Sequence, residues 1–197
     1  PVVLALPRGG VPVGLEIARA LGAPLDLVLV RKIGAPFQRE LAIGAVVDGG
    51  THERVLNEDV IRALELPAGY LERETARELA EIERRRRRYL EGRAPIPVEG
   101  RTAIVVDDGI ATGATMKAAL VAVRRRRPMR LVLAVPVAPP DTLEGLRSEV
   151  DEIVCLASPS DLGAIGELYM DFSQLEDEDV QALLAEVPPR TAGRHRP

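Results

Sequence analysis

Two adjacent carboxylates, Asp107 and Asp108, stand between an apolar run and a turn of small and hydroxyl residues, Gly109-Ile110-Ala111-Thr112-Gly113-Ala114-Thr115. The run Ala103 to Val106 suits a strand buried on both faces. After the turn, Lys117-Ala118-Ala119-Leu120 continues a helix that opens near Gly113 to Thr115. The first backbone N–H groups of a helix lack partners within it and, with the helix dipole, can bind a phosphate dianion. Thr112 and Thr115 add hydroxyl donors. Carboxylates repel such an anion, so Asp107 and Asp108 need another task. They can accept hydrogen bonds from vicinal hydroxyls and favour a sugar carbon that becomes cationic in a transition state. A cradle beside such acceptors suits a phosphorylated pentose. A receiver-type or metal-binding acidic pair would need further acidic ligands or a partner lysine, and would not need the Thr-Gly loop.

Other segments offer matching chemistry. In Pro7-Arg8-Gly9-Gly10 the glycine amides can face an anion, and Arg8 adds charge and a fork of donors. Arg31-Lys32 precedes Ile33-Gly34-Ala35-Pro36-Phe37-Gln38-Arg39-Glu40, where Gly and Pro suit a loop that opens and closes. The stretch from Asp161 to Phe172 contains Leu162, Tyr169 and Phe172. His52 and His195 fall in turn and tail regions, poorly placed for proton transfer.

The elements that must position these residues alternate. Strands are expected at 2–6, 25–30, 42–47, 103–106, 131–137 and 153–157, with helices at 11–21, from about Gly113 through Arg126, and a short one from Pro139-Pro140-Asp141. Continuous apolar strands between amphipathic helices predict an α/β fold: a mostly parallel central sheet flanked by helices. Both glycine loops then lie at carboxyl ends of strands, where such sheets bind ligands. Residues 48–100 break the pattern and read as a helical insertion, with a short helix over 57–64. A long charged helix follows from Tyr70 to Leu90, whose apolar stripe is Leu71, Thr75, Leu79, Ile82 and Tyr89 or Leu90. The narrow stripe predicts a helix lying across the body or pairing with another chain. Glu81–Arg85 and Glu83–Arg87 have favourable spacing. The runs Arg84 to Arg88 and Arg124 to Arg127 read as solvated, and acidic neighbours without an aromatic platform argue against nucleic acid.

The order apolar strand, Asp107-Asp108, then Ala111-Thr112-Gly113-Ala114-Thr115 resembles the phosphoribosyl-pyrophosphate (PRPP) motif of the type I phosphoribosyltransferases. Arg8-Gly9-Gly10 resembles the pyrophosphate loop of that family, in which an unusual cis peptide aims the amides. Arg31-Lys32 and the loop after it resemble the family's mobile catalytic loop. R-K-x-G-A-P, V-D-D-G-x-A-T-G-A-T and G-x-x-Y-x-D-F together resemble an uncharacterised bacterial subgroup, in which an aromatic residue usually stands where this chain has Leu162. The resemblance implies that PRPP binds with Mg²⁺ held on its own oxygens and no direct protein ligand. Its 5′-phosphate would rest on Ala111 to Thr115, and its ribose hydroxyls on Asp107 and Asp108 beside Gly109. Its pyrophosphate would rest on Arg8, Gly9, Gly10 and Lys32. Arg39 and Glu40 would reach the reacting centre on closure, and Leu162, Tyr169 and Phe172 would belong to a hood over a small nucleobase-like acceptor. A homodimer is implied too. The expected layout is one domain over 1–187, with the hood and C-terminal helix at 158–187 and a disordered tail at 188–197. A PRPP- or nucleotide-binding regulator that keeps the site without catalysis is the alternative. A phosphohydrolase would call for a second acidic cluster, which the sequence does not show.

Composition fits this frame. The 197 residues are 46% hydrophobic but only 3% aromatic, so Val, Leu, Ile and Ala must build the core. A net charge of −4 gives no global attraction to nucleic acid or an anionic membrane. Cys155, the single cysteine, rules out an intrachain disulfide, fits a reducing, cytoplasmic setting, and is expected as a buried strand thiol. No apolar stretch is long enough to span a membrane, and no signal peptide is visible. The chain opens at Pro1 directly in a strand-like run, so a residue or segment upstream is expected.

Overall fold

Strand β1 (Val2–Ala5) sends alternate side chains to two cores. Val2 and Leu4 pack with Met116, Leu120 and Val123 of helix α4 (Ala114–Arg125), whereas Val3 and Ala5 pack with Val11, Leu15 and Ala18 of helix α1 (Gly10–Leu21). A strand buried on both faces has to be apolar at every position, which is why Val2-Val3-Leu4-Ala5 shows no alternation. The computed structural model describes residues 1–38, 41–48, 53–90 and 93–187. Around β1 it places β2 (Leu25–Leu27), β6 (Thr102–Val106), β7 (Arg130–Val137) and β8 (Glu152–Ala157) in a five-stranded sheet of order β2-β1-β6-β7-β8, parallel throughout. Helices flank both faces, as the apolar runs required.

The expected strand over 25–30 divides in two. Val28 N still donates to Ala5 O, but the chain then leaves this sheet, and β3 (Val30–Gly34) begins a second, antiparallel one with β4 (Ala42–Val47) and β5 (Glu53–Leu56). Asp48 N, donating to Leu29 O, fixes that departure. Arg31 and Lys32 therefore lie inside β3 rather than at the mouth of a loop. The insertion expected as helical contains β5, a strand whose pairing is visible only in three dimensions. Its helices match expectation: α2 (Glu58–Ala63), with Asn57 accepting from Val60 N at its start, and α3 (Tyr70–Leu90). The small sheet lies between α3 and α4, and α3 runs across the body onto α6 (Asp177–Ala185).

The arginine runs are largely neutralised. Arg84 and Arg85 bond Glu81, Arg86 pairs with the buried Asp48, and Arg88 pairs with Asp177 and Glu178. Arg126 corrects the expectation of a solvated helix end: burial lowers its pKa, and its Nη2 donates to Ile96 O. Cys155 is only half-buried because β8 is an edge strand, with Leu156 82% exposed beside it. Among the described residues no helix is long and apolar enough to cross a membrane.

Candidate functional site

β1 and β6 are neighbours, but the helices that follow them leave on opposite faces of the sheet, α1 on one and α4 on the other. This divergence opens a crevice at the strands' carboxyl ends, the topological switch point of an open α/β sheet. Both glycine loops border it. Leu6 N donates to Val106 O, tying them at the base.

The loops meet closely because Gly9 and Gly10 have no side chains. A Cβ on Gly9 would fall 1.8 Å from Asp108 Oδ2, and one on Gly10 would fall 2.7 Å from the Val106 carbonyl oxygen. The peptide between Pro7 and Arg8 is cis. Gly10 N donates to Leu6 O at 3.0 Å, so that amide already has a partner.

Asp107 and Asp108 follow β6 directly. Asp108 N donates to Asp107 Oδ1 at 2.9 Å. Burial pushes both carboxyls above the usual range, and for Asp107 the neighbouring Asp108 charge adds to the rise. Among the described residues neither forms an ion pair. These acids are thus half-buried without a compensating cation among the described residues, an arrangement that favours hydroxyl groups or a developing positive charge as their partners.

Beyond them, Gly113 takes a left-handed conformation (φ 78°) and releases the chain into α4. The backbone amides of Ala111, Thr112, Gly113 and Ala114 find no backbone acceptor among the described residues. Thr142 Oγ1, from helix α5 (Pro140–Leu146), donates to Ala111 O at 2.8 Å and braces the loop from outside. Thr112 is exposed and Thr115 half-buried. This stretch supplies unpaired donors at a helix N-terminus, the requirement for a phosphate cradle.

A cavity of about 420 Å³ opens beside Asp108, lined also by Arg8, Gly9, Tyr169 and Phe172. Tyr169 OH donates to the Asp108 carbonyl at 2.5 Å, and its ring lies 5.1 Å from that of Phe172. Burial and the Asp108 and Asp107 charges raise the Tyr169 hydroxyl to about 12, so it stays a donor. Leu162, expected in this wall, is not among the cavity's lining residues, whereas Asp171, Ser173, Gln174 and Leu175 are. Asp171 accepts from Ser173 N and Oγ, a local turn bond that distinguishes it from a free acid.

Lys32 lies elsewhere. On β3 it lines a second cavity with Ala114 and Lys117, so it adjoins the far side of α4 rather than Arg8 and Asp108. Arg39, Glu40, His52 and His195 lie outside the described residues. Sequence reasoning assigned Arg8 no protein partner. The structure supplies Glu176 and Asp177, at 3.5 and 3.8 Å from Arg8 Nη1. The acidic run at 176–179 was readable as a helix start, but its long-range partner was not. Among the described residues no three His, Cys, Asp or Glu side chains converge as a metal cluster.

Comparison with known proteins gives consistent matches. The phosphoribosyl transferase domain model matches residues 1–172. Two Mycobacterium tuberculosis proteins, from strains CDC 1551 and H37Rv, whose names assign them provisionally as phosphoribosyl transferases, are each 49% identical over 183 residues. That alignment covers 93% of this chain but only 41% of theirs, so the chain spans less than half the length of these relatives. The crystal structure of TT1426 from Thermus thermophilus is 49% identical, with a TM-score of 0.82 over 95% of this chain and 88% of that one.

Proposed function

The chain belongs to the phosphoribosyl transferase domain family, and on that premise we propose that it transfers ribose 5-phosphate from PRPP to a nitrogen of a nucleobase-like acceptor. In this reaction the bond from the anomeric carbon to pyrophosphate oxygen breaks, and pyrophosphate leaves with the electron pair. The acceptor nitrogen bonds to that carbon and gives up its proton. The observation that carries this reading is the Asp107–Asp108 pair, half-buried without a cation between the Gly9 loop and the unpaired amides before α4.

Each residue then has a task. The amides from Ala111 to Thr115 hold the 5′-phosphate. Asp107 and Asp108 accept the ribose hydroxyls, orient the ring and favour its oxocarbenium character. Arg8 and Gly9 face pyrophosphate, and Tyr169 with Phe172 walls the acceptor cavity. Mg²⁺ fits this donor set as an ion carried on PRPP oxygens, with two carboxylates nearby, and it would offset charge on the leaving group. Lys32 would face the leaving pyrophosphate, and Arg39 and Glu40 would reach the reacting centre as the Ile33 to Glu40 loop closes and excludes water. A homodimer in the cytoplasm belongs to the same reading, and light scattering tests the dimer.

The test is pyrophosphate release from PRPP and Mg²⁺ with a panel of nucleobases, paired with calorimetry of PRPP alone. Release that depends on one acceptor supports transfer. Tight binding without turnover for every acceptor would assign a regulatory role instead. Absence of both would remove the proposal.

A further inference from the structure

Arg8 sits between two competing sets of groups. Its loop lines the cavity beside Asp108, yet Nη1 lies 3.5 Å from Glu176 Oε2 and 3.8 Å from Asp177 Oδ1. Neither carboxylate is a loose surface charge. Asp177 accepts from Tyr89 OH and pairs with Arg88 Nη1 at 3.2 Å. Glu176 belongs to a reciprocal cap: its side chain accepts from the Asp179 backbone, and its own N–H donates to Asp179 Oδ2 at 2.8 Å. Helix α6, which carries them, is anchored by the fully buried Val180 and Leu184 against α1 and α3. The fold therefore uses a docked helix terminus to present two acids to the guanidinium at the cavity's edge.

We propose that Glu176 and Asp177 form a carboxylate latch on Arg8 that sets how tightly the site takes a pyrophosphate group. The anion binds by drawing Arg8 away from the two acids, and the acids recover Arg8 when the anion leaves. This rests on the reading of the Arg8 loop as a pyrophosphate site. The Arg8 side chain is 40% exposed and that of Glu176 72%, so water screens the pair and the latch opens readily. Its purpose is to limit product affinity rather than to block the site.

Charge-removing isosteres separate the latch from structure. Glu176→Gln keeps a capping acceptor, and Asp177→Asn keeps an acceptor for Tyr89. Calorimetry of the full chain with magnesium pyrophosphate, and separately with ribose 5-phosphate, reads the effect. Glu176→Gln should tighten pyrophosphate about two- to fivefold, the range expected for one exposed ion pair. The double variant should tighten it further, and ribose 5-phosphate affinity should stay unchanged. Placing the double variant on Arg8→Gln should abolish the gain. Equal tightening of both ligands, persistence of the gain without Arg8, or no change would each overturn the latch while leaving the site reading intact. A wild-type chain that binds ribose 5-phosphate but not pyrophosphate would overturn the pyrophosphate reading and the latch together.

Discussion

Two carboxylate sites, one buried and one half-buried, differ in their surroundings. Glu78 of α3 is buried, and burial alone would push its carboxyl up. Hydrogen bonds from Arg77 at 2.7 Å and Arg31 at 2.8 Å reverse that and hold it below the usual range. Asp107 and Asp108 are half-buried beside each other, with backbone amides nearby and no ion pair among the described residues, and both are pushed up. The first arrangement ties α3 to β3 and serves the fold. The second keeps charge in reserve, which a structural role would not favour. Glu78 is neutralised by its partners, whereas the Asp107–Asp108 pair has no cation beside it among the described residues.

The sharpest way to break this contrast is Asp107→Asn with Asp108→Asn. PRPP affinity should fall about 100-fold or more, because a hydrogen bond to a charged group contributes about 1.5–3 kcal/mol. The thermal midpoint should hold or rise. A variant that titrates like the wild type would end the contrast. Glu78→Ala should act in the opposite sense, through stability: it takes a buried carboxylate partner from Arg31 while Arg77 keeps Glu74, and urea unfolding should show a loss of about 2 kcal/mol.

Acidity sharpens the contrast further. The aspartates hold protons more tightly folded than unfolded, so their contribution to stability is present at low pH and declines as pH rises through their raised folded values. The Glu78 contribution is present above the unfolded carboxylate range and is lost as pH falls through its lowered value. Between about pH 5 and pH 8 the wild type should therefore lose stability relative to the double asparagine variant, measured as the difference in unfolding free energy. Identical pH profiles would contradict the assigned burial effect. The smallest effect belongs to the exposed helix surface. Arg84→Ala breaks its pairing with Glu81, whose carboxyl its two arginine partners hold down at about 2. It should leave the midpoint of the same unfolding assay essentially unchanged, because water screens the pair.

Much of the site was legible because its signals are local. A strand, two acids, a Thr-Gly turn and a helix follow one another within 102–125, and the Arg8 loop needs only four residues. Helix α3 was legible for the same reason, its stripe and charges giving Tyr70–Leu90 as its extent. What escaped was long-range. The apolar stretch 25–30 looks the same whether it stays in one sheet or passes to another, and only the bonds from Val28 and Asp48 distinguish the cases. Glu53-Arg54-Val55-Leu56 carries too little apolar pattern to announce β5, which exists because β4 offers it an edge. Arg126 resembles its solvated neighbours in sequence, and only packing closes over it. Leu162 owes its expected place to a motif, whereas the cavity wall is made by residues further along.

Lysine is scarce here, and its placement has a practical consequence. The sequence contains two lysines, Lys32 and Lys117, and both line the cavity between the small sheet and α4. An amine-reactive dye would therefore label the chain, apart from its terminus, at a single location. Its emission would then report the packing of β3 against α4 without any engineered cysteine.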